Sequence, residues 1–172
     1  MTLLSIAVAL ISGALALALR TYTTLALEEP VAAITCEALP GTPPHFRLHY
    51  APATPRPHAA QTFELLGDQW MVSGEILKWQ PWLNVLGLRT VQKPTRVSGR
   101  FARASQERAQ PPTAYDLNGG TDAWWLWLHH HGARLPFVEA VYGNGVYTFA
   151  EPGRTCTLYV TLSGYLVKEV TP

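Results

Sequence analysis

The first part of the chain is one apolar run, and its pattern differs sharply from everything that follows. The 17 residues from Leu3 to Leu19 contain no charged side chain. A helix that rises about 1.5 Å per residue would span roughly 25 Å with this run, near the lower limit for crossing a bilayer. Arg20 and Tyr22 follow the run at the level of the membrane interface, where Arg side chains reach toward water and aromatic rings are favoured. Pro30 is a natural end for the helix. The pattern therefore predicts a transmembrane anchor over residues 1–28.

Two other interpretations of this run remain open from the sequence. A cleaved signal peptide has a similar apolar stretch with small residues near its end, but the first five residues here include no Lys or Arg. A buried helix of a soluble protein is the second alternative. Within the run, Ser5, Ala9 and Gly13 recur every four residues. This spacing predicts a smooth ridge that lets two membrane helices pack closely, although alanine-rich spans also produce such ridges by chance.

Beyond residue 28, the apolar positions form short segments whose spacing is typical of β-strands. Residues 46–50 alternate apolar and polar side chains, which is the period of a half-buried strand. In a longer segment Trp70, Val72 and Ile76 share one face, and Gly74 predicts a bulge or a close backbone approach. Strands are predicted over residues 30–39, 46–50, 61–67, 68–79 and 89–101, and residues 155–170 predict one or two more. Residues 136–149 predict a turn of helix or a strand, then a turn, then a strand.

Turn residues add detail to this pattern. The proline-rich stretch 51–60 predicts an exposed connection, and Pro94 predicts a sheet edge or a bulge. The Gly-Asn-Gly sequence at 143–145 predicts a hairpin turn inside its segment, and the sequence at 115–120 also predicts a turn.

Two short helices complete the predicted fold. Pro81 suits the start of the first helix and Gly87 its end. For the second helix, Thr121 is the expected N-cap, with Asp122 in the first turn and Gly132 after the last. The fold class is therefore α+β, with one N-terminal transmembrane helix and a mainly antiparallel β domain carrying two short helices. The anchor occupies residues 1–28, and a soluble β-rich domain occupies residues 29–172.

Composition and charge narrow the classes of function. With 172 residues, the chain is long enough for one domain with a real core and too short for two comfortable ones. Charged residues make up 15% of the chain, against roughly 25% in an average protein. The net charge of +1 creates no strong field, so no nucleic-acid partner is expected.

The two cysteines bear on the compartment of the domain. Cys36 and Cys156 lie in the first and last strand candidates, and terminal strands are often neighbours in small β domains. A disulfide between them is therefore geometrically possible and would place the domain in an oxidising space. The alternative is two free buried thiols. Arg20, on the C-terminal flank of the anchor, is a weak argument for a cytoplasmic domain instead.

Tryptophan is abundant, and its location in the fold is the main open question of the sequence. These rings either fill the core or face the membrane or another subunit, because Trp is favoured at both kinds of boundary. The candidates for partner-facing or membrane-facing aromatics are Trp79, Trp82, Trp124, Trp125 and Trp127.

Chemical motifs give little support for an enzyme. The three histidines 129–131 are consecutive, so on a helix their rings point about 100° apart and do not readily share one metal ion. The glycine-rich sequences lack the spacing of phosphate-binding loops, and no Ser lies in a nucleophile elbow. Four carboxylates are possible catalysts without a diagnostic spacing, namely Glu75, Asp116, Asp122 and Glu139. We therefore expect no catalytic residue, no cofactor and no metal.

Four sequence stretches carry a resemblance to a known family. They are DQWMVSGEILKWQPWLNVLGL at 68–88, RVSGRF at 96–101, YDLNGG at 115–120 and LPFVEAVYGNGVY at 135–147. The chain resembles, over roughly residues 20 to 170, a family of small membrane proteins of Gram-negative bacteria that often carry the label "cation/multidrug efflux pump" or "multidrug transporter". The resemblance implies an apolar anchor before a periplasmic domain. It implies no established activity and transfers no functional residue.

The transporter label can be tested physically. One short helix cannot enclose a polar path through a bilayer, because backbone groups and solutes need several helices or a closed barrel. We therefore expect a non-catalytic, single-pass inner-membrane protein that is an accessory or scaffold subunit of a larger complex. Its expected partners are the lipid bilayer and other membrane-protein subunits. The alternatives are an accessory factor of a multidrug or cation efflux system, or a periplasmic metal-dependent enzyme that uses the histidine run.

Overall fold

Two antiparallel sheets form the framework of the part of the chain that the structure describes. The structure is a computed structural model and describes residues 5–6, 8–16, 28–54, 59–110 and 113–170. In chain order the strands are β1 (Glu29–Leu39), β2 (His45–Pro52), β3 (Gln61–Leu66), β4 (Gln69–Trp79), β5 (Val91–Arg100), β6 (Ala114–Asp116), β7 (Val138–Phe149), β8 (Thr155–Thr161) and β9 (Gly164–Glu169). This architecture confirms the prediction of a mainly antiparallel β domain.

The order of the strands brings the two ends of the domain together. The first sheet has the order β3-β2-β1-β8-β9, and the second has the order β6-β5-β4-β7. Strand β1 therefore pairs with both β2 and β8 at the centre of the first sheet. The prediction that the first strand lies beside one near the end of the chain is confirmed.

The core lies between the inner faces of the two sheets. On β4, Trp70, Val72 and Ile76 are all buried, as their shared face predicts. On β2, the apolar members of the alternating segment point into the same core. Apolar and polar residues alternate along these strands because only one face of each sheet is buried.

The sheets also approach each other along both edges. The backbone N–H of Tyr165 on β9 donates to Oδ1 of Asn144 on β7, at 2.8 Å. At the opposite edge, the N–H of Leu66 donates to Oγ1 of Thr113, at 2.7 Å. These contacts connect the edge strands β9 and β7, and they connect the end of β3 to the residue before β6.

A bulge in β4 explains one glycine. The register between β4 and β5 shifts between Ser73 and Gly74, and Gly74 lies opposite Pro94. A Cβ atom at Gly74 would lie 2.2 Å from the carbonyl oxygen of Lys93, so only glycine fits. The bulge predicted from both residues is confirmed, and β5 is an interior strand of its sheet rather than an edge.

The part of the domain that the structure describes contains three short α-helices where two were predicted. They are α1 (Pro81–Val85), α2 (Ala104–Ala109) and α3 (Ala123–His131), and a 3₁₀ turn at Gly132–Arg134 follows α3. Helices α1 and α3 are the two that were predicted. Helix α2 lies in the polar stretch 102–112, where the sequence predicts only a helical turn before Pro111, because its exposed residues present no apolar face.

Three local predictions are corrected by the structure. The N-cap of α3 is Asp122 rather than Thr121, because the Asp122 carboxylate accepts from the backbone N–H of Trp125 at 3.1 Å. The residues 143–145 lie inside the continuous strand β7 instead of forming a hairpin turn. Residues 114–116 form the short strand β6, so the predicted turn at 115–120 overlaps its end.

The N-terminal run is only partly within the described residues. Residues 5–6 and 8–16 are helical, and all of their side chains are exposed. Ser5, Ala9 and Gly13 belong to this helix, whose four-residue spacing places them on one face. Within the described ranges, no helix is both long and apolar enough to span a membrane. The rest of the predicted anchor, residues 1–4, 7 and 17–27, lies outside the described residues.

Candidate interaction surface

Helix α3 packs against the outer face of the second sheet. Its residues Trp125 and Leu128 are buried beside Leu77 of β4 and Val138 of β7. Ile76, the neighbour of Leu77, belongs instead to the core between the sheets. Because successive strand residues point to opposite faces, α3 covers a second, smaller core on the outside of the sheet.

The opposite side of α3 exposes a row of stacked rings. Trp124 is 61% exposed and Trp127 is 41% exposed. The ring centroids of these two tryptophans are 5.3 Å apart with an interplanar angle of 12°, and those of Trp127 and His131 are 5.1 Å apart at 19°. The three and four-residue spacing places these side chains on one helix face. We call Trp124, Trp127 and His131 the aromatic ledge.

A set of polar contacts holds the ledge in place. The carboxylate of Glu75, on β4, accepts from Nε2 of His129 at 2.6 Å and from Oγ1 of Thr121 at 3.0 Å. Lys93, which faces Glu75 in the β4–β5 register, donates from Nζ to the Asp122 carboxylate at 2.9 Å. We call these five residues the α3 latch. The latch fixes both ends of the helix to the sheet.

The latch is also visible in the electrostatics of Asp122. The hydrogen bond from Lys93 lowers the pKa of this carboxyl below its ordinary value, and the backbone N–H of Trp125 adds to the effect. An ionised Asp122 therefore serves both as the cap of α3 and as a partner of the sheet.

A second exposed apolar surface lies at the end of the sheet where β4 leads into β5. It includes α1, the connection after it and the residue before β7. We call it the end patch, and its exposed members are Trp82, Leu86, Leu88, Val91 and Phe137.

The half-buried ring of Trp79 packs beneath the exposed residues of the end patch and contacts two parts of it. Its Nε1 donates to the carbonyl oxygen of Arg89 at 2.8 Å, and its ring lies 6.2 Å from that of Phe137 between centroids. The backbone N–H of Gln80 donates to the carbonyl of Phe137 at 3.0 Å. These contacts join the β4–β5 connection to the start of β7.

The five candidate tryptophans thus occupy four different locations. Trp124 and Trp127 form the ledge, Trp82 belongs to the end patch, and Trp79 is half-buried beneath that patch. Trp125 packs inward with 4% of its surface exposed, so it belongs to the core and does not face a partner. Sequence alone could not separate Trp124 from Trp125, because both neighbours are equally apolar.

The three histidines point toward different partners. His129 contacts Glu75, His131 stacks on Trp127, and His130 meets His131 edge-on at 75°. Across the described ranges, no three His, Cys, Asp or Glu side chains are grouped so that they could hold a metal ion. The sequence missed the link between His129 and Glu75, since 54 positions separate them.

The two cysteines lie close together in the core. Cys156 pairs in register with Ile34, two residues from Cys36, and both cysteines are buried free thiols. Burial and the neighbouring Cys156 raise the pKa of Cys36 to about 12, and burial also raises the pKa of Cys156. Diagonal neighbours of this kind have Cα atoms roughly 7–8 Å apart, slightly beyond the usual disulfide range. The disulfide therefore stays a prediction.

Comparisons with protein-family models, with curated proteins and with solved structures found no match. The family resemblance and the roles it implies therefore remain predictions. The exposed aromatic surfaces, whose geometry is set by α3 and by the β4–β5 connection, are the features from which a function can be argued.

Proposed function

We propose that the protein is a non-catalytic, single-pass inner-membrane protein whose β domain is an accessory or scaffold subunit of a larger membrane complex. The observation that carries this proposal is the aromatic ledge on α3. In this proposal the ledge docks onto a neighbouring membrane-protein subunit, while the N-terminal segment holds the domain beside that neighbour.

The ledge has the properties of a preformed protein-docking site. Tryptophan is the residue type most enriched among binding hot spots, and each buried Trp removes roughly 150–250 Å² from water. Ring stacking restricts the rotamers of Trp124 and Trp127, and the α3 latch holds the helix that carries them. Binding then orders fewer side chains, so less of the gain from burial is offset by lost entropy.

The N-terminal helix supports placement at a membrane. Its large apolar side chains, among them Leu10 and Ile11, are between 55% and 69% exposed. Within the described ranges, no part of the β domain covers these apolar side chains. The apolar interior of a bilayer would cover them. The ridge of Ser5, Ala9 and Gly13 offers a second place where a neighbouring membrane helix fits.

The periplasmic placement of the domain follows from the family resemblance, and Cys36 and Cys156 lie on the neighbouring strands β1 and β8, where a bond between them would need a small backbone shift. A bond between these sulfurs requires an oxidising compartment. Mass analysis of protein purified without reductant measures the bond directly as a loss of two hydrogen atoms.

The contacts of the α3 latch support a structural role for its polar groups. Glu75 and His129 form the kind of carboxylate–imidazole pair that also occurs in catalytic sites. Here, however, both groups tie α3 to β4, and Thr121 contributes a further hydrogen bond to the same carboxylate. In the proposed function this pair positions the ledge, and its loss changes binding rather than a reaction rate.

The test is purification of the full chain in mild detergents, followed by native mass analysis. The wild-type chain is expected to run with a partner of defined mass. Replacing both Trp124 and Trp127 with alanine is expected to release that partner. Phe149→Ala is the matched control, since Phe149 is an aromatic residue with 52% exposure outside the ledge. A lone monomer in every detergent would contradict the proposal.

An accessory role in efflux is the alternative that the family label supplies. It predicts that deletion of the gene changes susceptibility to drugs or cations, and that the complex isolated above contains a pump. Unchanged susceptibility across a broad panel of compounds would remove its support without affecting the scaffold role.

A further inference from the structure

We infer that the end patch rests in the headgroup region of the bilayer, so that the domain touches the membrane at a second point beside its tether. This inference depends on the tether of the proposed function. Its occupant is a zwitterionic phospholipid surface.

The members of the patch lie where β4 leads into β5 and where β7 begins, at one end of the second sheet. Trp82, Leu86 and Leu88 lie in the connection between β4 and β5, and Val91 is the first residue of β5. Phe137 joins them through the ring of Trp79 and the backbone of Gln80. Apolar side chains that are exposed together in this way mark an interaction surface more often than scattered ones do.

The chain enters the domain beside this patch. The guanidinium of Arg89 forms an ion pair with Glu29, the first residue of β1. Leu88 and Glu29 also line the same shallow cleft, together with Val160. The residue that follows the N-terminal segment therefore lies against the very connection that carries the patch. A tether inserted in the bilayer would therefore hold the end of the domain that carries the patch near the lipid surface, rather than the opposite end.

The chemistry of the patch fits the lipid interface. A tryptophan with aliphatic neighbours matches the depth where apolar side chains meet headgroups. Three cations around this end are each paired with a glutamate: Arg89 with Glu29, Lys168 with Glu28 and Lys78 with Glu139. Because these charges are compensated, contact with lipid should depend on apolar burial and little on anionic headgroups or salt.

The test uses the full chain in phosphatidylcholine vesicles in which part of the lipid is brominated. Bromine quenches tryptophan fluorescence only at short range, so the loss of emission reports contact with lipid. Trp82→Phe is expected to lose most of the quenching seen in the wild type. Trp124→Phe is the matched control, because Trp124 is 61% exposed and Trp82 is 56% exposed. The control is expected to keep that quenching.

The possible outcomes separate this inference from the proposed function. Equal quenching in both variants, or no quenching in pure lipid vesicles, would overturn the inference and point to a protein as the occupant of the patch. Strong dependence on added salt or anionic lipid would overturn it as well. If a carbonate wash frees the full chain from the vesicles, the tether itself is wrong. If the chain stays bound and Trp82→Phe has no effect, the second contact alone is wrong.

Discussion

Replacement of Glu75 by alanine tests how the aromatic ledge is held. The Glu75 side chain is only 12% exposed and accepts hydrogen bonds from His129 and Thr121. The substitution removes both bonds at once and leaves the packing of Trp125 and Leu128 in place. We therefore expect α3 to open locally more often, while the core between the sheets stays folded.

The size of this effect can be estimated from the contacts. Hydrogen bonds to a charged group contribute about 1.5–3 kcal/mol each, although solvent screening reduces this for partners near the surface. Two such bonds at the lower end of that range would contribute about 3 kcal/mol, and because the His129 side chain is 32% exposed, we reduce this to a combined loss of about 2 kcal/mol. At roughly 1.4 kcal/mol for each factor of ten, local opening of α3 should rise about 30-fold.

Hydrogen exchange followed by mass spectrometry measures this opening directly. Peptides that cover α3 should exchange faster in Glu75→Ala, while peptides from β1 and β8 should keep their wild-type rates. Glu64→Ala is the matched control, because Glu64 also lies on a strand and pairs with Arg47, but its side chain is 61% exposed. Exchange of α3 that is no faster in Glu75→Ala than in this control would refute the role of the latch.

Three further predictions follow from buried or shifted groups. In reduced protein at pH 8, iodoacetamide should label Cys36 about 1,000-fold more slowly than an ordinary thiol, because its pKa of about 12 leaves almost no thiolate; rapid labelling of the folded protein would contradict this. The folded pKa of Asp122 lies below its unfolded value, so its contribution to holding α3 should be fully present above about pH 4 and lost as the pH falls through the folded pKa. Asp122→Asn should flatten that pH dependence of α3 exchange, and an unchanged profile would argue against it. Trp70→Ala should lower the free energy of unfolding by about 3–5 kcal/mol, whereas Trp82→Ala should change it by less than about 0.5 kcal/mol, as measured by urea denaturation; equal losses would show that the burial of these rings is misassigned.

The strands were predictable because the core imposes a simple pattern. Trp70, Val72 and Ile76 share a buried face, and a period of two is the only spacing that keeps all three inside. The bulge at Gly74 was predictable for a similar reason, since a glycine inside a strand marks a position where a side chain does not fit.

Strand β7 shows why the turn at residues 143–145 was predicted wrongly. Two glycines around an asparagine are typical of a hairpin, but here Glu75 pairs with Gly143 and Gly74 with Asn144. The Asn144 side chain also accepts from the backbone of Tyr165 in the other sheet. Pairing with two distant segments therefore keeps the chain extended, and local turn preference cannot reveal such partners.

The residue types of the candidate surface could be predicted from the sequence, but which of their side chains are exposed could not. The sequence identified the tryptophans of α3, yet it could not tell which would be buried. That choice depends on Leu77 and Val138, which pack under Trp125, and on Glu75, which holds His129. Leu77 and Glu75 lie on β4, far from α3 in the sequence, and Val138 begins the next strand, so the exposed face of α3 is fixed only by the tertiary fold.

Photo-crosslinking in intact cells tests the central claim most directly. A photoreactive amino acid in place of Trp124 would lie on the ledge, and the same group in place of Phe149 would lie at another exposed position, on a strand outside the ledge. The proposed docking predicts one discrete adduct with a membrane protein from position 124 and none from position 149. No adduct from position 124, or the same adducts from both positions, would contradict the claim that the ledge binds a neighbouring subunit.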